Sequence, residues 1–248
     1  MEENGSPNPK RRRGIYLLPN LFTTAALFAG FYAITAALNQ RFELAAISIF
    51  VAMILDGMDG RVARLTNTQS AFGAEYDSMA DMISFGAAPA LVLYIWSLST
   101  LGKLGWVAAF VHTAGGALRL ARFNTQIATA DKRYFQGLPS PSAAAILAGF
   151  VWFSVDQGLS GESMRYLALG LSIATGLAMV SNFRYYSFKD VDLRGRVPFV
   201  NAIFVMLVFA VLFSNPPLVL FLFFGAYALS GPALTLILLR RRRGERRL

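Results

Sequence analysis

The chain has 248 residues, of which 55% are hydrophobic and only 15% charged, with a mean hydropathy of +0.49. That is too apolar for a water-soluble domain, in which about a quarter of the residues carry charge. Cysteine is absent, which excludes disulfides and thiolate metal sites. The formal net charge is +9, but the basic residues gather in blocks at the ends of apolar runs: KRRR at 10–13, KR at 132–133 and RRRRGERR at 240–247. Such placement marks loops facing an anionic leaflet and argues against a nucleic-acid partner.

Residues 1–13 contain two prolines and no periodicity, so they read as a disordered basic arm on the cytoplasmic side. No basic-apolar-small cleavage pattern is present, and no removable signal peptide is expected. Eight apolar helices then follow at about 16–38, 43–64, 70–97, 104–124, 139–157, 163–181, 197–214 and 217–239, each near the roughly 20 residues that cross a bilayer. Residues 14–240 therefore form one all-α, polytopic membrane bundle, followed by a basic cytoplasmic tail at 241–248 that binds anionic lipid.

Eight crossings put both termini on one side. That side receives Lys10 to Arg13, Arg61, Arg64, Arg119, Arg122, Lys132, Arg133, Arg184, Lys189, Arg194, Arg196 and the C-terminal arginines. The other receives only Arg41, Lys103 and Arg165, so the positive-inside rule orients the chain N-in and C-in. Trp96, Trp106 and Trp152 fall near the opposite ends of their spans, as interfacial anchors do. Asp190 and Asp192, with Arg194 and Arg196, read as a solvated loop.

The stretch DGMDGRVARLTNTQSAFGAEYDSMAD, residues 56–81, breaks the apolar pattern. Asp56 and Asp59 lie near the cytoplasmic end of the second span, and Asp77 and Asp81 in the cytoplasmic half of the third. Spacings of three and four put each pair on one helix face. The short LTNTQS link makes the two helices antiparallel neighbours, so the pairs face each other. Bare carboxylates at this depth cost several kcal/mol. Two divalent cations would neutralise them, and an all-oxygen donor set suits Mg²⁺ or Mn²⁺ better than zinc. Gly60, Gly73 and Ala63 are small enough to admit a ligand to the helix backbone, and Arg64, four residues after Gly60, can fork onto phosphate. Carboxylate-held metal beside an arginine suits phosphoryl transfer. The residue chemistry alone leaves open a cation pathway, as in a cation-coupled transporter, or an internal ion-pair network.

The pattern D-x-x-D-G-x-x-A-R, eight residues, then G-x-x-x-D-x-x-x-D resembles the signature of the CDP-alcohol phosphotransferase family. It is matched here at Asp56, Asp59, Gly60, Ala63, Arg64, Gly73, Asp77 and Asp81. The resemblance implies that Asp56, Asp59 and Asp77 are metal ligands. Asp81 would be both a ligand and the general base on the acceptor hydroxyl, while Gly60, Ala63, Arg64 and Gly73 line the CDP site. It further implies a six-helix core, with two of the eight spans as additions, and a homodimer.

The signature names the donor and leaves the acceptor alcohol open. LLPNLFTT at 17–24, MISFGAAPA at 82–90, LRLARFN at 118–124 and YFQGLPSPSAA at 134–144 resemble the integral-membrane phosphatidylserine synthase branch. That resemblance implies CDP-diacylglycerol and L-serine as substrates; glycerol 3-phosphate and inositol phosphate are the alternative acceptors. Arg119 and Arg122, three apart, can each meet a serine carboxylate, or can be positive-inside residues only. Asn124 can bond the acceptor or cap its helix. Asn20 and Thr23 can reach the nucleotide or bond between helices. GLPSP at 137–141 reads as a helix entry, His112 as a packed polar residue away from the acids, and Gly115–Gly116 as a close helix contact.

Overall fold

The computed structural model describes residues 17–66, 68–126, 134–186 and 199–245. The expected basic arm at 1–13, the KR pair at 132–133 and the charged loop at 189–196 lie outside the described residues. Helices α1 (Leu17–Leu38) and α2 (Phe42–Leu65) are followed by α3 (Ala71–Asp81), a π-helical turn (Met82–Ala87) and α4 (Ala88–Trp96). A 3₁₀ turn (Leu98–Leu101) leads to α5 (Lys103–Gln126), strand β1 (Tyr134–Gln136), α6 (Ser140–Asp156) and α7 (Arg165–Val180). Strand β2 (Arg184–Tyr186), α8 (Phe199–Ser214) and α9 (Pro216–Glu245) complete the chain.

Small residues set how closely these helices approach. Ala26, Ala29, Ala33, Ala36 and Ala37 fall on one face of α1 and are buried, opposite Ala45, Ala46 and Ala52 of α2. Without a strong hydrophobic drive between helices in lipid, such close van der Waals faces hold the bundle. Between α5 and α7 the contact reaches backbone: a Cβ on Gly115 would lie 2.4 Å from the Gly176 carbonyl oxygen. Ser172 Oγ also donates to the Ala108 carbonyl at 2.9 Å across that crossing. The expected close contact at Gly115 is therefore seen.

Helix α6 is the central rod, packed by α2, α4, α7 and α9. It enters as the GLPSP segment predicts, with Pro139 at the N-cap and a proline in the first helical turn, where no amide partner is lost. Its Leu147, Phe150 and Val151 meet Ile49 and Phe50 of α2 and Leu93 of α4 in the main core.

The outer surface is apolar. Met206, Phe209 and Phe213 of α8 and Phe223 and Leu229 of α9 are exposed. Pro19–Leu38, Ala71–Trp96 and Pro216–Leu236 are long and apolar enough to cross a membrane, and α6 and α7 are shorter apolar helices. The fold is that of a helical membrane protein.

Three features depart from the sequence reading. The third expected helix is interrupted by the π turn, because Pro89 has no amide for the Phe85 carbonyl four residues earlier. Two short strands pair antiparallel, Phe135 opposite Tyr185, in segments read as loops. Helix α9 runs six residues beyond its expected end at 239, through the arginine block to Glu245, so the basic tail begins as helix.

Candidate metal and phosphate site

The acidic stretch folds as two helices meeting around a short link. Ser70 caps α3 by accepting a hydrogen bond from the Gly73 amide at 3.0 Å, which fixes where that helix starts. Asp56 and Asp59 of α2 and Asp77 of α3 each offer a carboxylate oxygen, all within 4.8 Å of one another. Asp81, one turn beyond Asp77, meets Asp56 side chain to side chain. All four acids of the signature thus converge.

The set fits a hard cation. Its donors are all carboxylate oxygens, the chemistry of a Mg²⁺ or Mn²⁺ site. Asp77 Oδ1 is buried without a hydrogen-bond partner, an acceptor open to a cation or a donor ligand. Asp59 is already oriented: Thr23 Oγ1 of α1 donates to its Oδ2 at 2.8 Å, and both residues are buried. Hydrogen bonds that fix a ligating carboxylate commonly set metal affinity. Thr23, expected at the nucleotide or between helices, is bonded between helices to a candidate ligand.

Around this cluster the other signature residues leave room. Gly60 is exposed, and a Cβ there would meet nothing within 4 Å, so the α2 backbone is open to an incoming group. Ala63 is half-buried and Arg64 exposed in the last turn of the same helix. Gly73 faces Asn20: a Cβ on it would lie 3.5 Å from Asn20 Oδ1. Asn20, Gly73, Thr23 and Asp59 are thereby gathered where α1 meets α2 and α3.

The expected acceptor residues divide. Arg119 of α5 lies close enough to Asp81 to act on its charge, and its Nη1 donates to Ser140 Oγ of α6 at 2.8 Å. Its Nε is buried without a partner. Arg122 turns away, donating from Nη1 to Asn182 Oδ1 at 3.4 Å. Asn124 is not a helix cap, because α5 continues to Gln126; its Nδ2 donates to Ser78 Oγ at 3.1 Å, next to Asp77. His112 is fully buried between Thr175 and the Phe85 carbonyl, as a packed polar residue should be.

Ser140 falls within the GLPSP helix entry, whereas Ser78, Asn182 and Tyr227, which lies near Arg119, were not singled out from the sequence. Only Ser78 carried a signal, its place beside Asp77. The others come from distant segments that nothing in the sequence joins to the acids.

Residues 16–180 match the family described as CDP-alcohol phosphatidyltransferase. A Helicobacter pylori (strain J99) protein named CDP-diacylglycerol–serine O-phosphatidyltransferase is 39% identical over 217 residues, covering 88% of this chain and 90% of its own length. A Methanocaldococcus jannaschii protein of the same name is 35% identical over 178 residues, covering 72% of this chain and 78% of its own. The Saccharomyces cerevisiae protein so named is 38% identical over 155 residues, 56% of this chain and 54% of its own.

Proposed function

This chain belongs to the CDP-alcohol phosphatidyltransferase family, and on that premise we propose that it transfers the phosphatidyl group of CDP-diacylglycerol to L-serine, giving phosphatidylserine and CMP. The observation that carries the reading is the convergence of Asp56, Asp59 and Asp77 within 4.8 Å, with a buried, unpartnered Asp77 oxygen. The shared name of relatives in a bacterium, an archaeon and a yeast supports serine as acceptor.

Asp56, Asp59, Asp77 and Asp81 would hold two Mg²⁺ or Mn²⁺ ions. When bound, the metal supplies charge neutralisation for the diphosphate and its leaving group. Asp81 accepts the proton from the serine hydroxyl. The freed oxygen attacks the phosphorus beside diacylglycerol, the phosphorus–oxygen bond to CMP breaks, and CMP leaves with that electron pair. Arg64 meets the phosphate charge, and the open backbone at Gly60, with Ala63, Gly73 and Asn20, receives the nucleotide. Thr23 holds Asp59 in place.

On the acceptor side Arg119 is anchored through Nη1 by Ser140, and its Nε has no partner. It receives the serine carboxylate beside Asp81. Arg122, bonded to Asn182, stands further out, while Asn124 reaches the edge of the site through Ser78. The protein crosses the cell membrane eight times, N-in and C-in, with the site opening to the cytoplasm, and works as a homodimer.

Purified protein given CDP-diacylglycerol and Mn²⁺ should release CMP with serine and not with glycerol 3-phosphate or inositol phosphate. Release with one of those alcohols instead would reassign the acceptor, and none with any alcohol would refute the activity. Asp56→Asn should lose metal and regain part of its turnover at raised Mn²⁺. Asp81→Asn should stay inactive at any Mn²⁺, since it also lacks the base. Equal rescue of both would reduce Asp81 to a ligand. Arg119→Ala removes a charge-assisted contact worth about 1.5–3 kcal/mol, so the KM for serine should rise about ten- to a hundredfold. The KM for CDP-diacylglycerol should stay near its original value.

A further inference from the structure

The π-helical turn at Met82–Ala87 begins at the residue after Asp81. Its i→i+5 bonding is seen where the Ala88 amide meets the Ile83 carbonyl. A π turn inserts one residue without adding a turn, and so rotates the helix before it by about 100° relative to the helix after it. Here the helix before it is α3, which carries Asp77 and Asp81. The helix after it is α4, whose Ala88, Pro89, Ala90, Val92 and Leu93 are locked in the core. The rotation at this turn therefore decides where the two carboxylates point.

The turn is held by side-chain bonds to the helices on either side of it. His112 Nε2 lies 3.3 Å from the Phe85 carbonyl, the group that Pro89 leaves without its α-helical donor. A carbonyl oxygen can only accept, so this contact calls for the Nε2–H tautomer; Nδ1 then lies 2.8 Å from Thr175 Oγ1 of α7, a hydroxyl that also reaches the Leu171 and Ser172 carbonyls. Thr113 Oγ1 reaches the next carbonyl, Gly86, at 3.3 Å. On the other side Ser84 Oγ donates to the Ala26 carbonyl of α1 at 3.1 Å. At that point α1 comes so near that a Cβ on Gly30 would lie 2.7 Å from Ser84 Cα.

We propose that His112 is a positioning residue for the carboxylate cluster: by occupying the Phe85 carbonyl it holds the π turn, and the π turn aims Asp77 and Asp81 at Asp56 and Asp59. The proposal rests on the metal reading above. It separates His112 from ordinary core residues, because its loss should change metal affinity more than stability.

The test is Mn²⁺ binding to the detergent-solubilised full chain, followed by electron paramagnetic resonance without substrate, with thermal unfolding measured alongside. His112→Phe keeps the ring volume and removes the donor; it should weaken Mn²⁺ binding about ten- to a hundredfold, the usual cost of losing an outer-shell support. His112→Gln, which carries an amide donor near the Nε2 position, should recover most of that affinity. His112→Asn, which reaches only the Nδ1 position and Thr175, should not. If the phenylalanine variant does not fold, the Gln and Asn pair makes the same comparison. Wild-type Mn²⁺ affinity in folded Phe or Asn variants, or equal affinity in Gln and Asn, would overturn the proposal and leave the metal reading standing. Failure of the wild-type protein to bind Mn²⁺ would remove the metal reading and this proposal with it.

Discussion

Four carboxylates are forced together at one end of an apolar helix bundle, and the rest of the architecture answers to that crowding. At 4.8 Å, two carboxylate charges repel by about 3 kcal/mol at an effective dielectric of about 20, and desolvation adds to the cost. A fold does not keep such a cluster for stability. The cluster's all-carboxylate donor set fits a cation, which would offset the repulsion. The unpartnered oxygen of Asp77 is the local sign of that incompleteness.

The surrounding helices supply the rigidity the cluster lacks. Helix α1 packs on α2 through alanines, which brings Thr23 close enough to bond Asp59. Helix α5 approaches α7 to backbone contact at Gly115, and the same helix presents Arg119 to Asp81 and His112 to the turn beneath it. The carboxylate cluster thus sits on α2 and α3, and the bonded pair Arg119 and Ser140 on α5 and α6. Asp81 stands between the two. The four carboxylates lie in one continuous stretch of sequence, while Arg119 and Ser140 are drawn from elsewhere.

The same division governs what could be read from the sequence. Asp56, Asp59, Asp77 and Asp81 were legible because helical spacing alone puts them on facing surfaces, and acids in an apolar chain demand a reason. Helix positions were legible because bilayer-length apolar runs are bounded by charge. The π turn was not, since its cause is a missing amide at Pro89 combined with a donor from His112, 27 residues away. The β1–β2 pair was invisible for a similar reason: three-residue strands carry too little pattern, and their pairing depends on a contact between distant segments. Arg122 shares a helix face with Arg119, but packing against the segment after α7 sends it to Asn182.

Crystals grown with Mn²⁺ and measured at the manganese absorption edge test the central claim most directly. Two anomalous peaks should appear among Asp56, Asp59, Asp77 and Asp81, with Asp77 Oδ1 within ligand distance of one of them. No peak between α2 and α3 at saturating Mn²⁺ would contradict it.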